Sequence, residues 1–283
     1  MSCRMVTALH DLPPLWGFGY AVPMMQPAVN DRFHPDWLRP QWPAPARVRA
    51  VCTTRAGGTS PAPFDSFNLG DRVGDDPLRV ATHRANLGHG LGARPVFLQQ
   101  VHGVEVLEAH ADTPDGAQAD GAHTRQRGLA CIAQVADCLP ILLCDRAGEQ
   151  VAALHAGWRG LAGAGGAGVV EQGVGVMDAG PGQLLAWMGP CIGPHAFEVG
   201  EDVRQAFMHV DPSAAACFSA LRAGKWLADL PALARKRLQA AGVQEIYGND
   251  GSPAWCTVSQ AGRFFSFRRD GICGRMAAAI ALA

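Results

Sequence analysis

The chain has no excess charge of either sign: 24 basic residues stand against 25 acidic ones, a formal net charge of -1. That balance removes the electrostatic case for nucleic acid or an anionic membrane as partner. No apolar run reaches the roughly 20 residues a helix needs to span a bilayer. The stretch Met1 to Trp16 lacks the apolar core of a secretion signal. The nine cysteines include no Cys-x-x-Cys pair, and several stand in strand-like apolar contexts. The expectation is a reduced, cytoplasmic protein with buried thiols rather than a disulfide scaffold. The ten histidines contain no His-x-His, so a trinuclear copper cluster lacks its usual closely spaced ligands. The Gly-rich stretch 163–168 is not followed by Lys-Ser or Lys-Thr, which excludes a phosphate loop. Nothing specifies an oligomer, and a monomer is expected.

Apolar residues are plentiful, at 48% of 283, enough for one large core. Residues 1–47 carry eight prolines and no periodicity, which marks the N-terminal stretch as a disordered or extraneous extension. Downstream, period-2 and short apolar runs place strands at 96–100, 130–135, 141–144, 151–154, 184–188 and 263–267. Helical spacing falls at 77–87, 169–177, 199–207, 230–240 and 274–282. Hairpins interspersed with helices predict an α+β fold with mixed sheets rather than a doubly wound parallel sheet.

Three short polar islands interrupt the apolar strands. His102 closes Gln100-Val101-His102-Gly103, Cys138 sits in Ala136-Asp137-Cys138-Leu139-Pro140, and His155 opens His155-Ala156-Gly157-Trp158-Arg159-Gly160. Singly, these read as a buried thiol and two unrelated histidines. Together, two imidazoles and a thiolate make a three-ligand zinc site with a fourth position open, the pattern of a catalytic metal. A hairpin turning at Asp145-Arg146-Ala147-Gly148, with Cys144 opposite Glu149, would set Cys138 opposite His155 at ligand distance. Pro140 argues against a regular ladder there.

These islands, with Phe67-Asn68-Leu69-Gly70-Asp71, Gly189-Pro190-Cys191-Ile192-Gly193-Pro194 and Phe264-Phe265-Ser266-Phe267-Arg268-Arg269-Asp270-Gly271, resemble the laccase-domain family. The family is also called YfiH or PgeF and multicopper polyphenol oxidase, and the likeness runs from about His34 onward, which implies an extension over residues 1–33 and a folded domain over 34–283. The resemblance implies a single α+β domain with mixed β-sheets packed together and helices outside, a four-layer α/β/β/α fold, with zinc at His102, Cys138 and His155 and a catalytic role for Cys138. It implies phosphorolysis of adenosine, inosine, guanosine and methylthioadenosine, and deamination of adenosine. Its older associations are copper-dependent laccase chemistry and the editing of peptidoglycan precursors by hydrolysis. Copper is the alternative metal, since His₂Cys with a weak axial ligand is a blue-copper set. A binding module that uses the metal only for stability is the non-enzymatic rival.

Around the metal, Arg159 suits a bidentate grip on phosphate or a pairing with a structural carboxylate. The resemblance puts Arg55 and Asn68 among nucleoside and anion contacts, although Asn68 could equally close an Asx turn. Gln100 shares the parity of His102 and could face a purine. Asp137 points away from Cys138 by strand alternation, which favours a structural role. Arg268, Arg269 and Asp270 read as an internal ion pair or part of the pocket. Cys191 reads as a packed thiol, and His83, His89, His110, His123, His195 and His209 as surface residues.

Overall fold

Strand β6 (Leu139–Asp145) has every residue buried, and its alternate side chains enter two different cores. A strand covered on both faces needs an unbroken apolar run, which Leu139-Pro140-Ile141-Leu142-Leu143-Cys144 supplies. The computed structural model describes residues 32–163, 165–180 and 182–283. Up to Asp31, the expected N-terminal extension lies outside the described residues.

Two large sheets carry the fold. The six-stranded sheet runs β12 (Glu245–Gly248), β8 (Leu184–Met188), β6, β7 (Val151–Ala156), β4 (Gly121–Thr124), β3 (Val106–Glu108). Its outer pairs β12–β8 and β3–β4 are parallel, and the inner pairs are antiparallel. The four-stranded sheet runs β1 (Val48–Cys52), β13 (Met276–Leu282), β5 (Leu129–Val135), β2 (Arg94–Val96). Cys52, Cys131, Ala133, Ala278 and Ile280 of this sheet meet Leu142, Val151, Ala153 and Trp187 of the other in one core. The opposite faces are covered by helices. Leu87 and Leu91 of α1 (Pro77–Leu91) lie on the smaller sheet. The larger sheet takes α3 (Val169–Val176), α4 (Glu201–Met208) and α5 (Leu230–Ala240), which follow the short α2 (Trp158–Ala162). The layers are therefore α/β/β/α, as the family resemblance implies. A small sheet, β10 (Phe218–Arg222), β11 (Lys225–Ala228) and β9 (Glu198–Gly200), stands beside α4.

Several expected elements change type. Residues 274–282 form β13 rather than a helix: alanine favours helix locally, but small side chains let the strand pack between two layers. Residues 263–267 form a turn leading into α6 (Phe267–Asp270). His83 and His123 are buried, not on the surface. His83 is held by the Asn68 carbonyl and the Thr59 amide. Phe33, at the edge of the expected extension, packs 6.0 Å from Trp37 with the Arg39 guanidinium 4.5 Å over its ring.

Candidate active site

The β6–β7 hairpin is two residues longer in its turn than the sequence suggests. Cys144 faces Val151, not Glu149, because the Asp145 carboxylate accepts from the amides of Glu149 and Gln150 and widens the turn. Pro140, not Cys138, stands opposite His155. The thiol still reaches the imidazole, because Asp137 adopts φ 100° and swings Cys138 inward just before the strand begins. His102 arrives from the loop after β2, itself at φ 61°. Cys138 Sγ lies 3.6 Å from His102 Nε2, and the two imidazoles meet edge-on with centroids 4.9 Å apart.

One ligand atom from each of His102, Cys138 and His155 lies within 4.8 Å of the others, so the group could hold a metal ion. Space is kept for it: a Cβ on Gly157 would sit 2.7 Å from His102 Cδ2 and 3.1 Å from Cys138 Sγ. The donor set, two imidazoles and a thiolate, fits a metal of zinc type.

Asp120 organises the centre and had no signal in the sequence. Its Oδ1 accepts from His155 Nδ1 and the His102 amide, both at 2.9 Å. Its Oδ2 accepts from the amides of Val101 and Gly103, at 3.2 and 2.6 Å. The His155 amide donates to the Asp120 carbonyl at 2.7 Å. One buried aspartate thus sets the backbone of one imidazole ligand and the ring of the other, leaving His155 Nε2 for the centre. Burial alone would raise the Asp120 carboxyl, but the His155 hydrogen bond and charge and the two amides hold it below the usual carboxylate range.

Burial would also raise the Cys138 thiol, yet the His155 charge and the His102 hydrogen bond bring it down to about 6. Burial pulls His155 the other way, and Cys138 and Asp120 lift it to about 9. The shift favours the thiolate of Cys138, the form that ligates metal. Burial pushes Cys52, Cys131 and Cys144 up to about 12, leaving them inert.

The centre opens into a cavity of about 480 Å³, nucleoside-sized. Trp158, Phe197 and the exposed Phe267 supply aromatic surface, and Arg159 and Arg268 supply charge. Arg159, second residue of α2, stacks 4.4 Å over Trp158 and has no carboxylate partner among the described residues. Gln100 lines the cavity, but its amide is occupied: it accepts from the Gln134 amide at 2.7 Å and donates to the Gln134 carbonyl at 2.8 Å. Arg55 and Asn68 are not brought to the cavity. Arg55 bonds the Asp65 and Ala261 carbonyls and pairs with the Asp65 carboxylate. Asn68 is fully buried, closing a turn onto Gly70 and bonding Asp75 and the Arg275 amide. Asp137 lines the cavity, but its oxygens are held by Thr257 Oγ1 and the Arg268 amide. Arg269 and Asp270 form the internal ion pair, and Cys191 is a packed thiol.

Residues 49–283 match the family model described as multi-copper polyphenol oxidoreductase laccase. A Pseudomonas aeruginosa protein named purine nucleoside phosphorylase is 49% identical over 245 residues, covering 86% of this chain and 97% of that protein. The Escherichia coli purine nucleoside phosphorylase YfiH is 47% identical, covering 85% of this chain and 96% of its own length. A crystal structure of a Neisseria meningitidis protein superposes with a TM-score of 0.82 at 44% identity, covering 87% of this chain and 99% of that one.

Proposed function

The chain belongs to the multi-copper polyphenol oxidoreductase laccase family, and from that premise we propose that it is a zinc-dependent purine nucleoside phosphorylase that also deaminates adenosine. The observation that carries this reading is the convergence of His102, Cys138 and His155 on a nucleoside-sized cavity with aromatic rings and guanidinium groups in its walls. The substrates are adenosine, inosine, guanosine and methylthioadenosine, and the compartment is the cytoplasm.

His102, Cys138 and His155 would hold the zinc. When bound, such an ion polarises oxygen and acidifies water at neutral pH, the help that deamination at the purine 6 position requires. Asp120 keeps the His155 proton on Nδ1. Trp158 and Phe267 offer faces for the purine. In phosphorolysis a phosphate oxygen bonds to the ribose C1′ as the C1′–N9 bond breaks, and the base leaves with a proton, giving ribose 1-phosphate. Arg159 holds that phosphate in a bidentate grip. Cys138 acts first as a ligand, since coordination neutralises the thiolate as a nucleophile. Arg55 and Asn68 serve the site by fixing loops, and Gln100 by framing its wall.

The test is a product assay on the zinc-loaded protein with four nucleosides, with and without phosphate, and with the metal content measured on the same sample. Expected are free base and ribose 1-phosphate (5-methylthioribose 1-phosphate from methylthioadenosine) only when phosphate is present, inosine from adenosine in both cases, and one zinc per chain. Release of no base from any nucleoside would overturn the proposal, and stoichiometric copper would overturn its metal.

A further inference from the structure

The Phe67-Asn68-Leu69-Gly70-Asp71 loop has so far only a structural role, yet arginines converge on it from three parts of the chain. Arg84, on α1, donates from Nε to the Leu69 carbonyl at 2.9 Å, pairs with Asp71 at 3.2 Å and lies 4.0 Å over Phe97. The Arg275 amide donates to Asn68 Oδ1 at 2.8 Å, and its stem crosses the loop so closely that a Cβ on Gly70 would lie 2.7 Å from Arg275 Cγ. Glycine at 70 makes room for an arginine. Arg72 follows Asp71, is exposed, and has no hydrogen-bond or ion-pair partner among the described residues. The Arg275 guanidinium donates only from Nη1, to atoms of Cys273 and Gly274, with no acid within ion-pair distance among the described residues.

All three guanidinium-bearing residues line the cavity, and on this wall they face one carboxylate, Asp71. The wall is tied to the metal centre: Gln134 Nε2 donates to the Leu69 carbonyl at 2.8 Å, and the Gln134 backbone pairs with Gln100, two residues before His102. Guanidinium groups stay charged at any physiological pH and match phosphate oxygens in geometry. In a concave wall their field is focused toward the ligand. A neutral nucleoside has no use for it, and the inorganic phosphate of phosphorolysis is already assigned to Arg159.

We propose that Arg72, Arg84 and Arg275 form a second subsite, for a phosphoryl group. It is either esterified on the substrate, making a nucleoside monophosphate a ligand, or free phosphate. The proposal rests on the nucleoside reading above. Calorimetry on the zinc-loaded full chain would compare adenosine, adenosine 5′-monophosphate and inorganic phosphate. The proteins are the unsubstituted chain, Arg72→Gln/Arg275→Gln and Arg159→Met. The monophosphate is expected to bind about tenfold or more tighter than adenosine, the worth of one charge-assisted hydrogen bond. The paired substitution brings that ratio close to one, and Arg159→Met preserves it. Loss of inorganic phosphate binding in the paired variant, with no preference for the ester, identifies free phosphate as the occupant of the same subsite. If neither the ratio nor the phosphate affinity responds to the paired substitution, the subsite is wrong. Arg72→Gln alone, at an exposed position, gives the same readout should the pair fail to fold. Failure of the nucleoside reading looks different: adenosine itself would not bind, while phosphate binding still responded to Arg72.

Discussion

Asp120 gathers four N–H groups onto two carboxylate oxygens, and no neutral side chain can do the same. In Asp120→Asn one oxygen becomes an NH₂ aimed at groups that are themselves donors, whether at Val101 and Gly103 or at His102 and His155. Zinc affinity, read by competition with a chromophoric chelator, is expected to fall about 10–100-fold, as when the hydrogen-bond partner of a ligand histidine is lost. An unchanged affinity would reduce Asp120 to a packing residue. Cys138→Ser and Arg159→Met should separate the two chemistries. The first exchanges a soft thiolate for a hydroxyl, so zinc, phosphorolysis and deamination should go together. The second leaves the metal ligands intact, so phosphorolysis should fall more than deamination. Equal losses in Arg159→Met with zinc retained would return Arg159 to a structural role. The cluster His102, Cys138 and His155 was legible in the sequence because each residue is a polar island in an apolar run. Asp120 was not: its partners are backbone amides and a ring brought close only by the fold.

Elements were legible where pattern and packing agree. The helix 230–240 and the strand 184–188 match their observed bounds, since one has helical spacing after the Asp229 cap and the other is a short run buried in a sheet. The register of the β6–β7 hairpin was misread, because a side-chain cap at Asp145 lengthens a turn without altering the apolar pattern around it. The Gly157 junction between β7 and α2 gives a sharper test. Gly157→Ala places a methyl group against His102 and Cys138 while the sheet and helix on either side keep their packing. Zinc binding should weaken about tenfold or more, since a ligand must shift from its geometry. Thermal melting of the metal-free protein should move by only a few degrees. Full zinc affinity in this variant would mean that the centre has slack to spare there.

At the scale of the molecule, the α+β class with mixed sheets was legible from hairpins interspersed with helices, and the layers from the family resemblance. Which sheet took which helix did not follow, because β13 was read as a helix and its place between β1 and β5 left empty. The expectation for the N-terminus can be tested directly: removing residues 1–31 should leave melting temperature and nucleoside turnover nearly unchanged, whereas a large loss of stability would show that they pack on the core. Phe33, stacked under Arg39, should stay in any such truncation. The position of β13 also governs how the protein comes into being. Among the described strands, β1 and the facing edge of β5 pair only with residues 276–282. At ribosomal speed β5 waits on the order of ten seconds for it. Throughout that interval the nascent chain would present bare strand edges and unburied apolar faces, an aggregation-prone state, so the yield of folded chain in cell-free synthesis is expected to rise when a holding chaperone is added.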